Sequence, residues 1–133
     1  MITQSSHNTL IERIKILTNL NGLENRSGLL CDVTEFLYRL KSFDDYQSMS
    51  MPDNISADNF DNSITFEWIK KDKLKIDTLL VTFHGNQSIQ IEASYPRVDL
   101  KLENSFPLNE DMANLVTTHL DNFKQPLKKK RYK

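Results

Sequence analysis

The 133-residue sequence has one cysteine, three glycines and four prolines, and it lacks any long apolar run. The lone Cys31 cannot form an internal disulfide, and structural zinc sites need several thiolates or imidazoles. So few glycines and prolines exclude collagen-like and low-complexity chains. No stretch approaches the roughly 18 apolar residues of a membrane-spanning helix, so we expect no membrane partner. Residues 1–20 also lack the apolar centre of a signal peptide, which predicts a cytoplasmic protein.

What the sequence does contain is the composition of one globular domain. Apolar residues make up 38% and charged residues 26% of the chain, and a chain of this length can bury a core without disulfides or metals. We find no catalytic, metal-binding or nucleotide-binding motif, so we expect a protein that is not an enzyme and uses no cofactor or metal. Cys31 is expected to be a small buried apolar side chain.

The charges are unevenly distributed along the chain. Six of the 17 basic residues fall in 124–133, where there is no acid, so the other residues carry 11 positive and 18 negative charges. This pattern predicts a single acidic domain over 1–123, followed by a disordered basic tail over 124–133.

Apolar periodicity near 3.6 predicts three helices. The first spans about 9–20, with Thr9 and Glu12 as a capping box, and the second spans about 29–42, capped by Ser27 or Asn25. Together they form an αα-hairpin. The third helix begins after Asn109, which is a good N-cap, and ends before Gln125-Pro126.

Between the second and third helices the apolar period changes to two, which predicts strands. Four segments alternate in this way, at 64–68, 79–83, 89–95 and 98–102. A change of phase between Ile76 and Leu79 predicts a bulge near Asp77-Thr78. Short turns separate the strands, so the fold class is α+β, with a four-stranded antiparallel sheet and helices on one face.

The segment 44–62 is rich in aspartate and contains no basic residue. A structureless loop of this length is unusual inside a compact domain. Either part of it forms a short strand around Ile55, or it is a mobile surface segment.

The hexapeptide SITFEW at 63–68, the Gly85-Asn86-Gln87-Ser88 turn and Phe106-Pro107-Leu108 before the last helix form a recognisable pattern. It resembles small, mostly uncharacterised bacterial proteins with two helices, an xIxxEW strand, hairpins and an FPL segment. The resemblance covers about 10–123. It implies an accessory, antitoxin-like or immunity-like protein of a mobile element, and it implies no activity.

The acidic segment is the first candidate site, because negative charge favours encounter with a basic protein such as a toxin or nuclease. The alternative is an ordinary solvated loop, and the spacing does not fit a calcium-binding loop. We expect Trp68 to lie in the core; if it faces solvent instead, it would be a binding hot spot. The candidate partner-binding residues are Asp44, Asp45, Asp53, Asp58, Asp61 and Trp68.

The basic tail is the second candidate site, because clustered lysine and arginine contact nucleic-acid phosphates without sequence preference. The residues concerned are Lys128, Lys129, Lys130 and Arg131. The acidic domain would oppose such binding, and a solvated terminus is the simpler interpretation. The leading hypothesis is therefore a protein that binds and neutralises or regulates another protein. A nucleic-acid-binding accessory protein is the alternative, and the oligomeric state is left open.

Two histidines remain as candidates for acid–base chemistry. His84 and His119 could act with Glu67, Glu92 or Asp121, but no nucleophile or phosphate loop accompanies them. We expect an exposed histidine in a turn and a partly packed histidine in a helix.

Overall fold

The computed structural model describes residues 2–43 and 46–123, except for the side chains of Asp72 and Arg97. Three helices and five strands follow one another in the order α-α-β-β-β-β-β-α, which confirms the α+β class. The bounds are α1 Gln4–Leu20, α2 Arg26–Lys41, β1 Asn54–Asp58, β2 Ser63–Asp72, β3 Lys75–Phe83, β4 Ser88–Tyr95, β5 Leu100–Pro107 and α3 Glu110–Asp121, with short 3₁₀ turns at Tyr46–Ser48 and Pro96–Val98. The predicted basic tail lies outside the described residues.

The sheet is an antiparallel meander with the spatial order β1-β2-β3-β4-β5, so the prediction of four strands is one short. The additional strand, β1, lies in the aspartate-rich segment, and the predicted possibility of a short strand around Ile55 is confirmed. Ile55 pairs with Phe66 of β2 and is 8% exposed. Only two residues of β1, Ile55 and Ala57, are apolar and face the core. An alternation of two residues is too short to predict a strand by itself.

The predicted bulge near Asp77-Thr78 is wrong. β2 and β3 pair without interruption from Asp72 opposite Lys75 to Ile64 opposite Phe83. The apparent change of phase arises because Asp77, which is buried, occupies the inward phase, whereas Ile76 points to the other side and is half exposed.

The helix ends differ from the predicted ones. α1 begins after Thr3, whose hydroxyl accepts from the backbone N–H of Ser6 in a capping box, so Thr9 and Glu12 are not its cap. α2 begins earlier than predicted. Its N-cap residue is Asn25, one of the two predicted, but Asn25 has a left-handed φ of 51° and its side chain makes no capping hydrogen bond. The prediction for α3 is confirmed, because Asn109 Oδ1 accepts from the N–H of Met112 at 2.9 Å.

The core lies between the helices and one face of the sheet. Phe36 of α2 sits edge-on to Phe66 of β2 and Phe83 of β3, with ring centroids 6.2 and 5.2 Å away. All three rings are fully buried. Aromatic rings in this arrangement add attraction beyond their buried area. The helices therefore cover one face of the sheet, and the strands turn their polar phase to the other.

Candidate functional site

The predicted acidic residues do not form one cluster. Asp53 precedes β1, and its carboxylate accepts from the N–H of Ile69 at 2.7 Å. Asp58 ends β1, so these two aspartates lie at opposite ends of that strand. Asp44 and Asp45 lie outside the described residues.

Asp58 and Asp61 belong to the turn between β1 and β2. Asp58 accepts from the N–H of Phe60 at 2.8 Å, and Asp61 accepts from the hydroxyl of Ser63 at 2.6 Å. Between these two acids Phe60 is 93% exposed. This segment, 58–62, is called the acidic hairpin below, and it presents an aromatic ring between two carboxylates.

Trp68 lies in the core, as the first of its two interpretations predicts. It is 1% exposed, its Nε1–H donates to the carbonyl of Ser50 at 2.9 Å, and its ring packs edge-on against Phe66. A side chain this buried presents no surface to a partner, so Trp68 is not part of the candidate surface.

The outward side of the sheet carries a row of acidic side chains, of which Glu67 and Glu92 were candidates only for acid–base chemistry with a histidine. The register aligns four residues across β2, β3, β4 and β5, and neighbours in such a row lie about 5 Å apart. The four residues are Glu67, Leu80, Glu92 and Glu103. We call this set the acidic row. Its central Leu80 lies between two glutamates and is partly exposed.

The acidic row has no cation in contact with it among the described side chains. Glu67 accepts from the amide of Asn54 at 2.8 Å, and Glu92 accepts from the amide of Gln90 at 3.2 Å. Amides are neutral and leave the charges uncompensated. The ion pairs in the described part of the chain all lie on the helices, and they join Lys15 to Glu12 and Arg39 to both Glu35 and Glu110.

Within the row, Glu92 and Glu103 are directly opposite each other on β4 and β5. Like charges in this position destabilise a sheet by a few tenths of a kcal/mol to about 1 kcal/mol. The isolated chain therefore holds a repulsive pair on its open face, and a cation brought by a partner would relieve that repulsion.

β2 begins after the acidic hairpin, and the turn at its other end is basic. The turn between β2 and β3 and its flanks carry four lysines, and Leu74 at the tip is 98% exposed. The lysines are Lys70, Lys71, Lys73 and Lys75. We call this segment, 70–75, the basic hairpin. Because β2 joins it to the acidic hairpin, the two ends of that strand carry opposite charges.

His119 is not brought together with Glu67 or Glu92. His119 of α3 is hydrogen-bonded through Nδ1 to the hydroxyl of Tyr95 at 2.5 Å, on the helical side of the sheet. Glu67 and Glu92 belong to the outward phase. A second pair of the same kind joins His7 Nδ1 to the hydroxyl of Tyr46 at 2.7 Å.

Burial dominates the electrostatics of both pairs. It lowers the pKa of His119 and of His7, and the charge of Lys41 lowers the pKa of His7 further. Burial also raises the pKa of Tyr46 and of Tyr95 to about 12, with a smaller contribution at Tyr95 from the charge of Asp77. His7 and His119 are therefore harder to protonate in the folded chain than in water.

These shifts predict how stability depends on pH. A histidine whose pKa is lowered by folding binds more protons in the unfolded chain, so the free energy of unfolding rises with pH up to its ordinary pKa of about 6.5. We expect the urea concentration at the unfolding midpoint to decrease as the pH is lowered from about 7.5 to about 5.5. The His7→Gln/His119→Gln variant should lose much of that pH dependence. An equal pH dependence in the variant would show that these histidines do not cause it.

A groove of about 1060 Å³ runs over α2, between α1 and the segment that leads into α3. Its lining includes Ile11, Leu30, Cys31, Tyr38 and Leu108. Cys31 is exposed there, so the expectation of a buried thiol is wrong. The reason is its position on α2, because the side of the helix that is buried carries Leu29, Val33, Phe36, Leu37 and Leu40.

No protein-family model, curated protein or solved structure matches the chain. The resemblance to mobile-element proteins therefore stays a prediction. None of the described helices is both long and apolar enough to span a bilayer. Within 2–43 and 46–123, no three histidine, cysteine, aspartate or glutamate side chains are grouped as metal ligands.

Proposed function

We propose that this chain binds a basic surface of another protein through the outward face of its sheet, and that it neutralises or regulates that protein by covering it. The observation that carries the proposal is the acidic row, in which three glutamates face outward without a described counter-cation. An antitoxin, immunity protein or inhibitor of a nucleic-acid-binding protein would need this complementarity, because the target surface is basic.

The size of the open face is consistent with this role when the acidic hairpin is included. Five strands about 4.8 Å apart and about eight residues long give a face of roughly 600 Å². A stable interface covers about 800 Å² on each partner, so the sheet face alone is too small. The acidic hairpin extends the face at one end and adds the exposed ring of Phe60. Exposed aromatic side chains beside charged residues are typical of binding hot spots.

A charge-matched pair of variants tests the proposal. Glu67→Gln/Glu92→Gln removes two charges from the row, and Glu12→Gln/Glu110→Gln removes two from exposed positions on the helices. We expect the first variant to capture the partner from a native-host lysate about tenfold more weakly and to suppress its activity less, since each exposed charge contact contributes up to about 1 kcal/mol. We expect the helical variant to behave like the wild type.

The proposal is contradicted if the two variants are equally impaired, or if neither is impaired while capture persists. Equal impairment would mean that binding depends on the net charge of the chain and not on the acidic row. In the second case the binding surface lies elsewhere. The captured protein must also lose its own activity on binding, since capture by itself does not show neutralisation.

The nucleic-acid alternative gains one described feature. The basic hairpin presents four lysines and an exposed leucine at one end of β2. The predicted tail residues, Lys128 to Arg131, lie outside the described part of the chain. If this alternative is correct, binding to duplex DNA will weaken steeply with salt, and its log–log slope will become shallower when lysines of the hairpin or tail are replaced.

A further inference from the structure

The edge strand β5 differs from the other edge of the sheet. β1 has five residues, follows Pro52 and Asp53, and ends at Asp58, and such prolines and charges protect an edge from pairing with another chain. β5 has eight residues, most of them exposed, and among the described residues it pairs only with β4. The N–H and C=O groups on its outer edge therefore have no neighbouring strand among the described residues.

The backbone groups that face this edge can be identified. The N–H of Leu108 donates to the carbonyl of Gln87 at 3.1 Å, and this pair continues the register in which Ser88 lies opposite Pro107. In an antiparallel ladder every second residue turns its N–H and C=O to the same neighbour. The even-numbered residues of β5 thus bond to β4, and Lys101 and Glu103 turn their backbone groups to the open edge.

The side chains along this edge are complementary to themselves. Lys101 and Glu103 lie on the outward face of the sheet, and Leu102 lies between them in the opposite phase. If a second copy pairs antiparallel with Leu102 opposite its own counterpart, Lys101 of each copy lies opposite Glu103 of the other. The edge backbone groups then bond as well, because 101 and 103 are both odd-numbered.

The neighbouring registers are unfavourable. A shift of two residues in one direction centres the pairing on Lys101, which then lies opposite Lys101 of the second copy. The same shift in the other direction places Glu103 opposite Glu103. Like charges in this position are destabilising. A further step places Lys101 opposite Pro107, which has no N–H to donate. Of the registers within β5, the one centred on Leu102 combines opposite charges with hydrogen bonds from the edge groups of both Lys101 and Glu103, over residues 100–104 of each copy.

The same register relieves a repulsion within each chain. Glu103 has Glu92 directly opposite on β4. In the paired arrangement, Lys101 of the second copy lies on the other side of Glu103, in the same row. Leu100, which is 51% exposed, and the partly buried Leu102 would be covered on the other face.

We propose that β5 is a self-association edge, at which two copies pair antiparallel about Leu102 and join their five-stranded sheets into one of ten strands. This interaction uses the edge of the sheet and Glu103, and it leaves Glu67 and Glu92 on the outward face available to a partner. A continuous sheet would also bring Glu67 and Glu92 of both copies onto one face, so that a basic partner would meet two such pairs.

Charge exchange across the edge tests the proposal on the full chain without any partner present. The variants are Lys101→Glu, Glu103→Lys and the double exchange Lys101→Glu/Glu103→Lys, measured by sedimentation velocity over a concentration series. We expect the wild type to dimerise and each single variant to dimerise at least tenfold more weakly, because two attractive pairs become two repulsive ones. The double exchange restores opposite charges and should restore dimerisation.

Circular dichroism of each variant checks that the fold is retained, and the double exchange serves as the internal control for side-chain tolerance. A wild type that stays monomeric at all concentrations overturns the proposal. So does a dimer that the single variants leave unchanged, or a double exchange that fails to recover dimerisation. Because no partner enters this measurement, failure here leaves the charge-matched capture experiment on Glu67 and Glu92 unaffected.

Discussion

Phe66→Ala is expected to lower the free energy of unfolding by about 3–5 kcal/mol, the usual loss for a buried phenylalanine. Phe66 is fully buried, and its ring packs edge-on against Phe36, Trp68 and Phe83, with centroids 6.2, 6.1 and 5.1 Å away. Truncation would leave a cavity where the sheet meets α2, and the surrounding rings could close it only in part. Small domains have a total stability of about 5–15 kcal/mol, so the urea midpoint should fall steeply.

Phe60→Ala provides a matched control, because the chemical change is identical and Phe60 is 93% exposed in the acidic hairpin. We expect its unfolding free energy to stay within about 0.5 kcal/mol of the wild type. Equal losses in the two variants would mean that the aromatic cluster is not the centre of the core.

Asp32→Ala is expected to cost about 2–3 kcal/mol, because it removes a buried, charged acceptor from a backbone N–H of the β3–β4 turn. Asp32 of α2 is 3% exposed, and its Oδ2 accepts from the N–H of Gln87 at 3.0 Å. Burial raises the pKa of this carboxyl group, and the nearby backbone N–H groups of Gln87, Asn86 and Gly85 oppose that shift. The side chain thereby fastens the β3–β4 turn to α2.

Two further variants serve as comparisons for the stability loss of Asp32→Ala. Asp32→Asn keeps one carbonyl acceptor and should lose less stability than the alanine variant. Asp111→Ala removes an exposed carboxylate from the first turn of α3, where a favourable charge contributes up to about 1 kcal/mol. If urea unfolding shows Asp32→Ala to be no worse than Asp111→Ala, the turn is not held in the way described.

Most of the sheet could be predicted from alternation, and the exceptions have a physical cause. β4 carries three inward apolar residues in strict alternation, namely Ile89, Ile91 and Ala93, and its prediction is confirmed. The start of β3 was misread because a buried aspartate occupies an apolar position. Propensity and period cannot anticipate a polar side chain whose burial depends on neighbours distant in sequence.

The candidate surface was predictable only in part for a related reason. The aspartates of the acidic hairpin, Asp58 and Asp61, are only three residues apart, so the composition of that segment was enough to indicate them. Glu67 and Glu92 belong to strands that were predicted, so their polar phase could be read from alternation, whereas Glu103 lies just beyond the strand predicted at 98–102. Their alignment into one row depends on the register, which the turns determine and which a slip of one residue would change.

Carboxyl footprinting tests the central claim most directly, because it reports on the proposed contact groups themselves. The full chain, alone and bound to its captured partner, is labelled with a carbodiimide and an amine, and the modified sites are quantified by mass spectrometry. The account predicts reduced labelling of Glu67, Glu92 and Glu103 in the complex, with Glu12 and Glu110 on the helices unchanged. Undiminished labelling of the acidic row, together with protection of the helical glutamates, would contradict it.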